Sequence, residues 1–402
     1  MTAIVGVLNK HAVAIAADSA VTIGGKKVFN SANKIFALSK RAPVAIATYN
    51  NANLNNVPWE IVIKEYRKHL GDTKKARLKD YVDDFFEYIK SRKYFSTTEE
   101  LKESEKQYFS LCLNLWIKEL PLDQQTEQSI NTNLEHRITE LRQKRIIRDC
   151  FNGLSLEEFA SACQESIDYV ITQTSLNLNK DYITEFLYLT FICEGFLYNY
   201  SGLVFMGYGE HKIYPLLYSY KTGLIINETL HIESQSSQDT IINNNCKAAI
   251  VPFAQRDVMD TIIFGIAPIV KESYKKTFNE KLQTIIHELE GNYPEAAKII
   301  SGKFTNILDE FISDASICAG REYVQPFVSS IINLNIEDLA DFAESLIKLT
   351  ATKRKVSPDQ PTVGGPIDVM VISKGDGIIW MKRKHYFDPN LNHHFFENYN
   401  HQ

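Results

Sequence analysis

Met1-Thr2-Ala3-Ile4-Val5-Gly6-Val7-Leu8 opens the chain, and Ala12-Val13-Ala14-Ile15-Ala16-Ala17-Asp18 follows across Asn9-Lys10-His11. Two short runs of β-branched and alanine residues joined by a polar tripeptide read as a strand hairpin. The stretch carries chemistry as well. Thr2, Asp18 and Lys34 stand at equal steps of sixteen residues. A threonine freed of the methionine before it holds a hydroxyl and an α-amine on one residue, so nucleophile and base arrive together. The amine's ordinary pKa of roughly 7.7–8.0 leaves part of it basic near neutral pH. Thr2 and Ala3 are both small, which lets an aminopeptidase remove Met1.

Working outward, the runs TAIVGV, VAIAADSAVTIGG, NKIFALS and PVAIATYN within residues 1–48 resemble the amino-terminal half of proteasome β-subunits. They resemble equally the related bacterial proteasome-like threonine peptidases of the N-terminal-nucleophile hydrolase superfamily. LVFMGYGEHKIYPLLYSYKTG (203–223) is similar to that family's central strand pair, and VGGPIDVMVISKGDG (363–377) to its closing hairpin. Together these blocks cover roughly a quarter of the chain. The resemblance implies an α+β fold of the four-layer αββα sandwich type, with large helical insertions. Pattern alone licenses only α+β.

The resemblance also implies roles. Thr2 is the nucleophile, and Asp18 pairs with Lys34 to fix its position and protonation; the plainer readings are a strand-start threonine, a turn aspartate before Val21 and a strand-edge lysine reaching solvent. Lys34, charged, stabilises developing negative charge; neutral, it accepts the threonine proton. The backbone N–H that receives the oxyanion falls on Thr48, where the family has glycine. Val21, Ala32, Phe36 and Ile46 hold the positions that line the pocket before the scissile bond, and their apolar character implies uncharged substrate side chains. Core packing is the alternative reading of these four. The family's later serine has no counterpart in Val251-Pro252-Phe253-Ala254-Gln255, and near its later aspartate and serine stand Asp359 and Gly364 in an ambiguous register.

Composition is that of a globular protein with a real core: 402 residues, 44% apolar and 23% charged. A net charge of −5 gives no reason to expect nucleic acid or an anionic membrane as partner. Cys112, Cys150, Cys163, Cys193, Cys246 and Cys318 are scattered without a Cys-x-x-Cys pair and read as reduced core residues. No basic leader precedes Ala14-Ile15-Ala16-Ala17, and no run approaches the roughly 20 apolar residues needed to span a bilayer. A cytoplasmic location is the expectation. His393-His394 lacks spaced partners, so no metal and no cofactor are expected. Gly207-Tyr208-Gly209 is a strand turn and not a phosphate loop.

Strands are predicted at 3–8, 12–17, 20–23, 26–29, 34–38 and 43–48, with Gly24-Gly25 as a turn. Further strands fall at 202–208, 211–219 and 223–229, turning at Lys221-Thr222-Gly223, and at 366–373 and 377–383. Helical spacing begins at Trp59, with capping-box pairs at Ser96/Glu99 and Ser155/Glu158. It resumes from 256 to 350, where Leu339, Phe342, Ala343, Leu346 and Ile347 form one apolar stripe. Lys353 to Pro361 reads as a surface loop, and the tail from Asp388 has no period. One enlarged domain over 1–402 is expected, with core strands in about 2–58, 200–265 and 356–387. Helical insertions fill about 70–195 and 268–355.

The function expected from these readings is threonine-dependent hydrolysis of an amide or peptide bond through an acyl-enzyme. In a transpeptidase variant an amine would resolve the ester. The alternative is a non-catalytic binding or assembly subunit. A peptide or protein substrate and homo-oligomerisation are the partner expectations.

Overall fold

The computed structural model describes residues 2–23, 27–92, 95–144, 146–151, 153–174, 176–195, 199–226, 229–357, 363–385 and 387–394. It is a mixed α/β protein with antiparallel sheets and many helices. Its contacts divide it into two compact units, Met1–Ala32 with Ile241–Gln402, and Asn33–Thr240. Each by itself is a sheet with helices against one face, and neither alone establishes a four-layer stack. Among the described residues no helix is long and apolar enough to cross a membrane.

In the first unit the sheet runs in the order Ala248–Ala254, Ala3–Asn9, Ala12–Ala17, Asp368–Ser373 and Gly377–Lys382. Every residue of Ala3–Asn9, Ala12–Ala17 and Asp368–Ser373 is buried. Buried strands read as continuous apolar runs, which is how these three read apart from the end residues Asn9, Asp368 and Ser373. On one face Ala3, Val5, Val7, Ala12, Ala14 and Ala16 meet Leu339, Ala343, Leu346 and Ile347 of the helix Ile336–Val356. The expected stripe is therefore the packed face, with Phe342 only partly buried.

That helix continues through Lys353, Arg354 and Lys355, where a loop was expected. Three basic side chains in a last turn complement the negative end of the helix dipole, and Arg354 pairs with Asp257. Pro358, Asp359 and Pro361 lie outside the described residues, as do Met1 and Gly24-Gly25. Asn9 makes the first hairpin turn as expected, and it is completely satisfied. Its Oδ1 accepts from the His11 and Ala12 N–H groups at 2.9 and 3.2 Å, while Nδ2 donates to the Ile331 and Leu334 carbonyls at 3.0 and 2.9 Å.

In the second unit the order is Thr229–Ser234, Leu216–Ile226, Ser201–Gly207, Val44–Asn50 and Ile35–Ala37. One face buries Phe36, Val44, Ile46, Leu203 and Phe205 against Trp59, Tyr66 and Phe85 of the helices Trp59–Leu70 and Leu78–Ser91. Gly207 has φ +130°, and a Cβ there would lie 2.0 Å from the Pro43 carbonyl oxygen, so no other residue fits. The helices Thr98–Glu119, Glu127–Lys144, Leu156–Thr174 and Lys180–Ile192 gather a separate apolar cluster.

Three local expectations shift here. Ser155 and Glu158 form the expected capping box, but the other one is Thr97 with Glu100; Ser96 turns its hydroxyl to the Phe95 and Asn55 carbonyls. The strand expected at 211–219 starts at Leu216, because the Glu210 and His211 N–H groups donate to the Lys75 and Ala76 carbonyls instead. Lys221-Thr222-Gly223 is no turn: it lies inside Leu216–Ile226, which bulges between Thr222 and Ile225.

His231, on Thr229–Ser234, is fully buried against Phe151 and Phe191, and neither ring nitrogen has a hydrogen-bond partner among the described residues. Burial first, then the Arg148 charge, hold its pKa well below the ordinary 6.5. The unfolded chain therefore takes up a proton below that pH while the native chain does not. Stability should fall as pH drops below about 6.5, by up to about 1.4 kcal/mol per pH unit, and this group should contribute no slope above it. Urea titrations of wild type and His231→Leu at pH 7.5 and 5.5 test this. A pH effect equal in both proteins rules it out.

Candidate active site

Thr2, Asp18, Val21 and Ala32 belong to the first unit; Lys34, Phe36, Ile46 and Thr48 belong to the second. In the first, the pairing of Ile4 with Ala17 sets Asp18 beside Ala3. Thr2 is 4% exposed and Asp18 is 1% exposed. The Asp18 N–H donates to the Ala3 carbonyl at 3.2 Å, and the Ala3 N–H donates back to Asp18 Oδ1 at 3.0 Å. Asp18 Oδ2 accepts from the Ala20 N–H at 3.2 Å and the Gly364 N–H at 3.1 Å. An ionised carboxylate has about four lone-pair sites, so one side chain can satisfy all three donors.

The other side of Thr2 is held too. Ala3 lies opposite Ala254, and the Gln255 N–H donates to the Thr2 carbonyl at 3.1 Å. Ala254 has φ +62°, where the chain leaves the strand. The Val251–Gln255 stretch, which supplies no serine, thus contributes its backbone. Gly364-Gly365-Pro366 completes the frame: the Ser19 N–H donates to the Gly364 carbonyl at 3.1 Å and the Ser19 hydroxyl to the Pro366 carbonyl at 2.5 Å. Gly365 has φ +76°, and a Cβ on it would meet the Asn30 Cβ at 2.7 Å.

Sequence reasoning missed the parts played by Ala20, Gln255 and Gly364, because backbone donors leave no mark in residue type. The Gly-Gly-Pro turn was the one available signal for the third. Val21 opens the short hairpin with Lys27–Phe29, and the Ala32 N–H donates to the Ser19 carbonyl at 3.1 Å; both residues are partly exposed.

In the second unit Lys34 is 4% exposed, and its carbonyl accepts from the Thr48 N–H at 2.9 Å. This corrects the expectation for Thr48. Its N–H is committed to the sheet and is not a free donor for an oxyanion. Phe36 and Ile46 face each other across neighbouring strands within the apolar cluster, and Ile46 has no accessible surface. Within this unit both are packed as core. Asn33 directs Nδ2 to the Glu60 carboxylate at 3.3 and 3.4 Å, and Glu60 in turn pairs with Lys64 at 2.6 Å. Among the described residues no group of His, Cys, Asp and Glu side chains is arranged to hold a metal ion.

No family model matches the chain, and no curated protein matches it. Solved structures that align with it include Anbu (ancestral beta-subunit) from Yersinia bercovieri, at 8% identity and TM-score 0.28, over 99% of this chain and 94% of that one. A Gly-1 mutant of Anbu from Hyphomicrobium sp. strain MC1 aligns at 6% identity and TM-score 0.30, over 100% and 96%. The Anbu complex from Pseudomonas aeruginosa, described as a helical assembly, aligns at 9% and 0.29, over 99% and 94%. Superpositions this loose carry no argument for fold or chemistry. The identification with proteasome β-subunits and threonine peptidases is accordingly corrected: no family model supports it, and the aligned Anbu structures fit only at TM-scores of 0.28–0.30. Runs of Ala, Val and Ile are what any strand pair buried on both faces needs, so their likeness to another family's strands does not show kinship.

Proposed function

We propose that the chain hydrolyses an amide bond with Thr2 as nucleophile. The observation that carries this reading is the backbone frame around that residue: its carbonyl is held by Gln255, and the next N–H is held by the buried Asp18 carboxylate. With Met1 removed, Thr2 Oγ1 would attack the substrate carbonyl while its own α-amine takes the hydroxyl proton. The amine would pass that proton to the leaving nitrogen, and water would release the acid from the ester. A frame that already fixes the attacking residue removes part of the entropic cost of the encounter.

An epoxyketone tests the reading directly, because its carbonyl takes the hydroxyl and its epoxide takes a free α-amine on the same residue. The expected result is an intact mass lacking one methionine and an adduct mapped to the Thr2 peptide. Retention of Met1, or an adduct elsewhere, ends the proposal. The occupied Thr48 N–H favours a second reading, a binding subunit without turnover, which the same experiment would leave standing.

Asp18→Asn probes the frame. An amide keeps one oxygen but turns an NH2 toward a backbone donor, so at least one buried N–H loses its partner. A loss of about 1–3 kcal/mol in urea unfolding is expected, together with slower labelling of Thr2. Unchanged stability and labelling would contradict the framing role.

A further inference from the structure

In the first unit the helices Pro268–Asn292 and Pro294–Ala319 turn back on each other at Tyr293, each about 38 Å long. Phe278 stacks on Phe311 across the pair at 4.9 Å, and Leu282 and Leu289 are half-buried along the same seam. Yet among the described residues of the two helices only Ile286 and Ala297 are buried. A helix laid on a packed core buries a whole stripe. Beside the seam Tyr274 and Ile285 stand open, about three turns apart on one face.

At the base of the pair, beside the helix Asp257–Phe264, a groove of about 890 Å³ is lined in part by Phe264, Ile266, Tyr274, Phe311, Ile312 and Tyr323. Aromatic rings present about 150–250 Å² each, so Phe264, Tyr274, Tyr293, Phe311 and Tyr323, at 45–64% exposure, leave about 500 Å² open. Ile269, Val270 and Ile285 extend this toward the roughly 800 Å² per partner of a stable interface. Charge is arranged unusually as well. Lys271, Lys275, Lys276 and Lys281 outnumber Glu272 and Glu280 in the first half of Pro268–Asn292, while Glu288 and Glu290 stand in a second half without Lys or Arg. The helix dipole favours the reverse order, so the helix by itself gains nothing from it. An antiparallel copy of the same helix would gain.

We propose that two copies of the chain pair antiparallel along Pro268–Asn292, each seating its Tyr293 in the other's groove. Setting Tyr274 of one copy opposite Ile285 of the other fixes the register. Lys271, three residues before Tyr274, then meets Glu288, three residues after Ile285. Ile266 of the groove, eight before Tyr274, meets Tyr293, eight after Ile285. One register thus satisfies charge and groove together, and each contact occurs twice, as a closed two-fold interface requires. The two helix pairs complete an antiparallel four-helix bundle, which supplies the cover that one pair lacks. These residues take no part in the proposed hydrolysis, so the inference stands or falls apart from it.

Sedimentation equilibrium of the full chain over about 1–100 μM should show monomer and dimer in exchange. Ile285→Glu should weaken the dimer at least tenfold with the far-UV spectrum unchanged, since the side chain is exposed in one copy. Lys271→Glu should weaken it about tenfold, and adding Glu288→Lys to the same chain should restore it. Cross-linking checks the register. In a chain carrying Cys318→Ser to remove an exposed thiol, Ile266→Cys with Tyr293→Cys should give a covalent dimer on copper–phenanthroline oxidation, and neither substitution alone should. Within one copy the two positions lie about 40 Å apart along the helix, beyond the reach of a disulfide. The proposal is overturned by a chain that stays monomeric, whether or not it binds phosphatidylcholine vesicles. It is overturned equally by a dimer that Ile285→Glu leaves intact, or by failure of the paired cysteine substitutions to link two copies.

Discussion

Thr2→Ala is expected to lower amide hydrolysis by about 10⁴-fold or more, because it removes the group that would form the covalent intermediate and leaves only binding and positioning. Thr2→Ser should keep measurable turnover, since hydroxyl and α-amine remain on one residue. A methyl group is all that separates serine from threonine, and Thr2 is only 4% exposed, so rotamer freedom rather than chemistry should limit the serine form. The assay is release of a fluorescent amine from N-acylated peptide amides bearing uncharged side chains, repeated with an added amine acceptor to separate hydrolysis from transpeptidation. Equal rates for wild type and the alanine variant would remove Thr2 from the chemistry. The backbone bonds from Gln255 and to Asp18 do not involve the Thr2 side chain, so the alanine variant should fold normally.

Arg148→Leu is expected to cost about 3–5 kcal/mol of stability, because it strips the hydrogen-bonded cation from a buried carboxylate and leaves it Lys221 Nζ at 3.9 Å. The Arg148 side chain has no exposure and that of Glu233 is 5% exposed. Arg148 Nε donates to Glu233 Oε2 at 2.9 Å, Nη2 lies 2.8 Å from the same oxygen, and Nη1 donates to the Phe191 carbonyl at 2.5 Å. Glu233 also accepts from Gln235 Nε2 at 3.0 Å and the Gly195 N–H at 3.3 Å. Arg148 precedes the short turn Asp149–Phe151, and its own N–H donates to the Ile192 carbonyl. The pair thus ties the helical cluster of the second unit to the strand Thr229–Ser234. Replacing both partners, as Arg148→Met with Glu233→Leu, should recover much of the loss, since apolar groups need no counterion. Urea midpoints of the single and double variants decide it. A single-variant loss below about 1 kcal/mol would mean that water reaches the carboxylate.

The two strands that begin the chain were legible because, ahead of Asn9 at the turn, they carry no polar residue to confuse the pattern. The helix stripe from Leu339 to Ile347 was legible for the matching reason, a 3.6-residue period against one sheet face. Capping pairs showed where helices begin to within one residue, and the error at Ser96 arose because Thr97 and Glu100 offer the same spacing one step on. Turns were the weakest reading. Lys221-Thr222-Gly223 has turn composition, yet sheet pairing on both sides of it absorbed the glycine as a bulge.

From residue order alone came the hairpin of Ala3–Asn9 with Ala12–Ala17 and the alternation of strand and helix blocks. Those depend on contacts between near neighbours in sequence. Folding decided the rest. It drew Gly364 and Gln255 onto Asp18 and Thr2, spent the Thr48 N–H on Lys34, and left the Asn55 carboxamide buried without a partner among the described residues. Backbone amides look alike in every residue, so which carbonyl or carboxylate each one meets is fixed by chain path and not by side-chain identity.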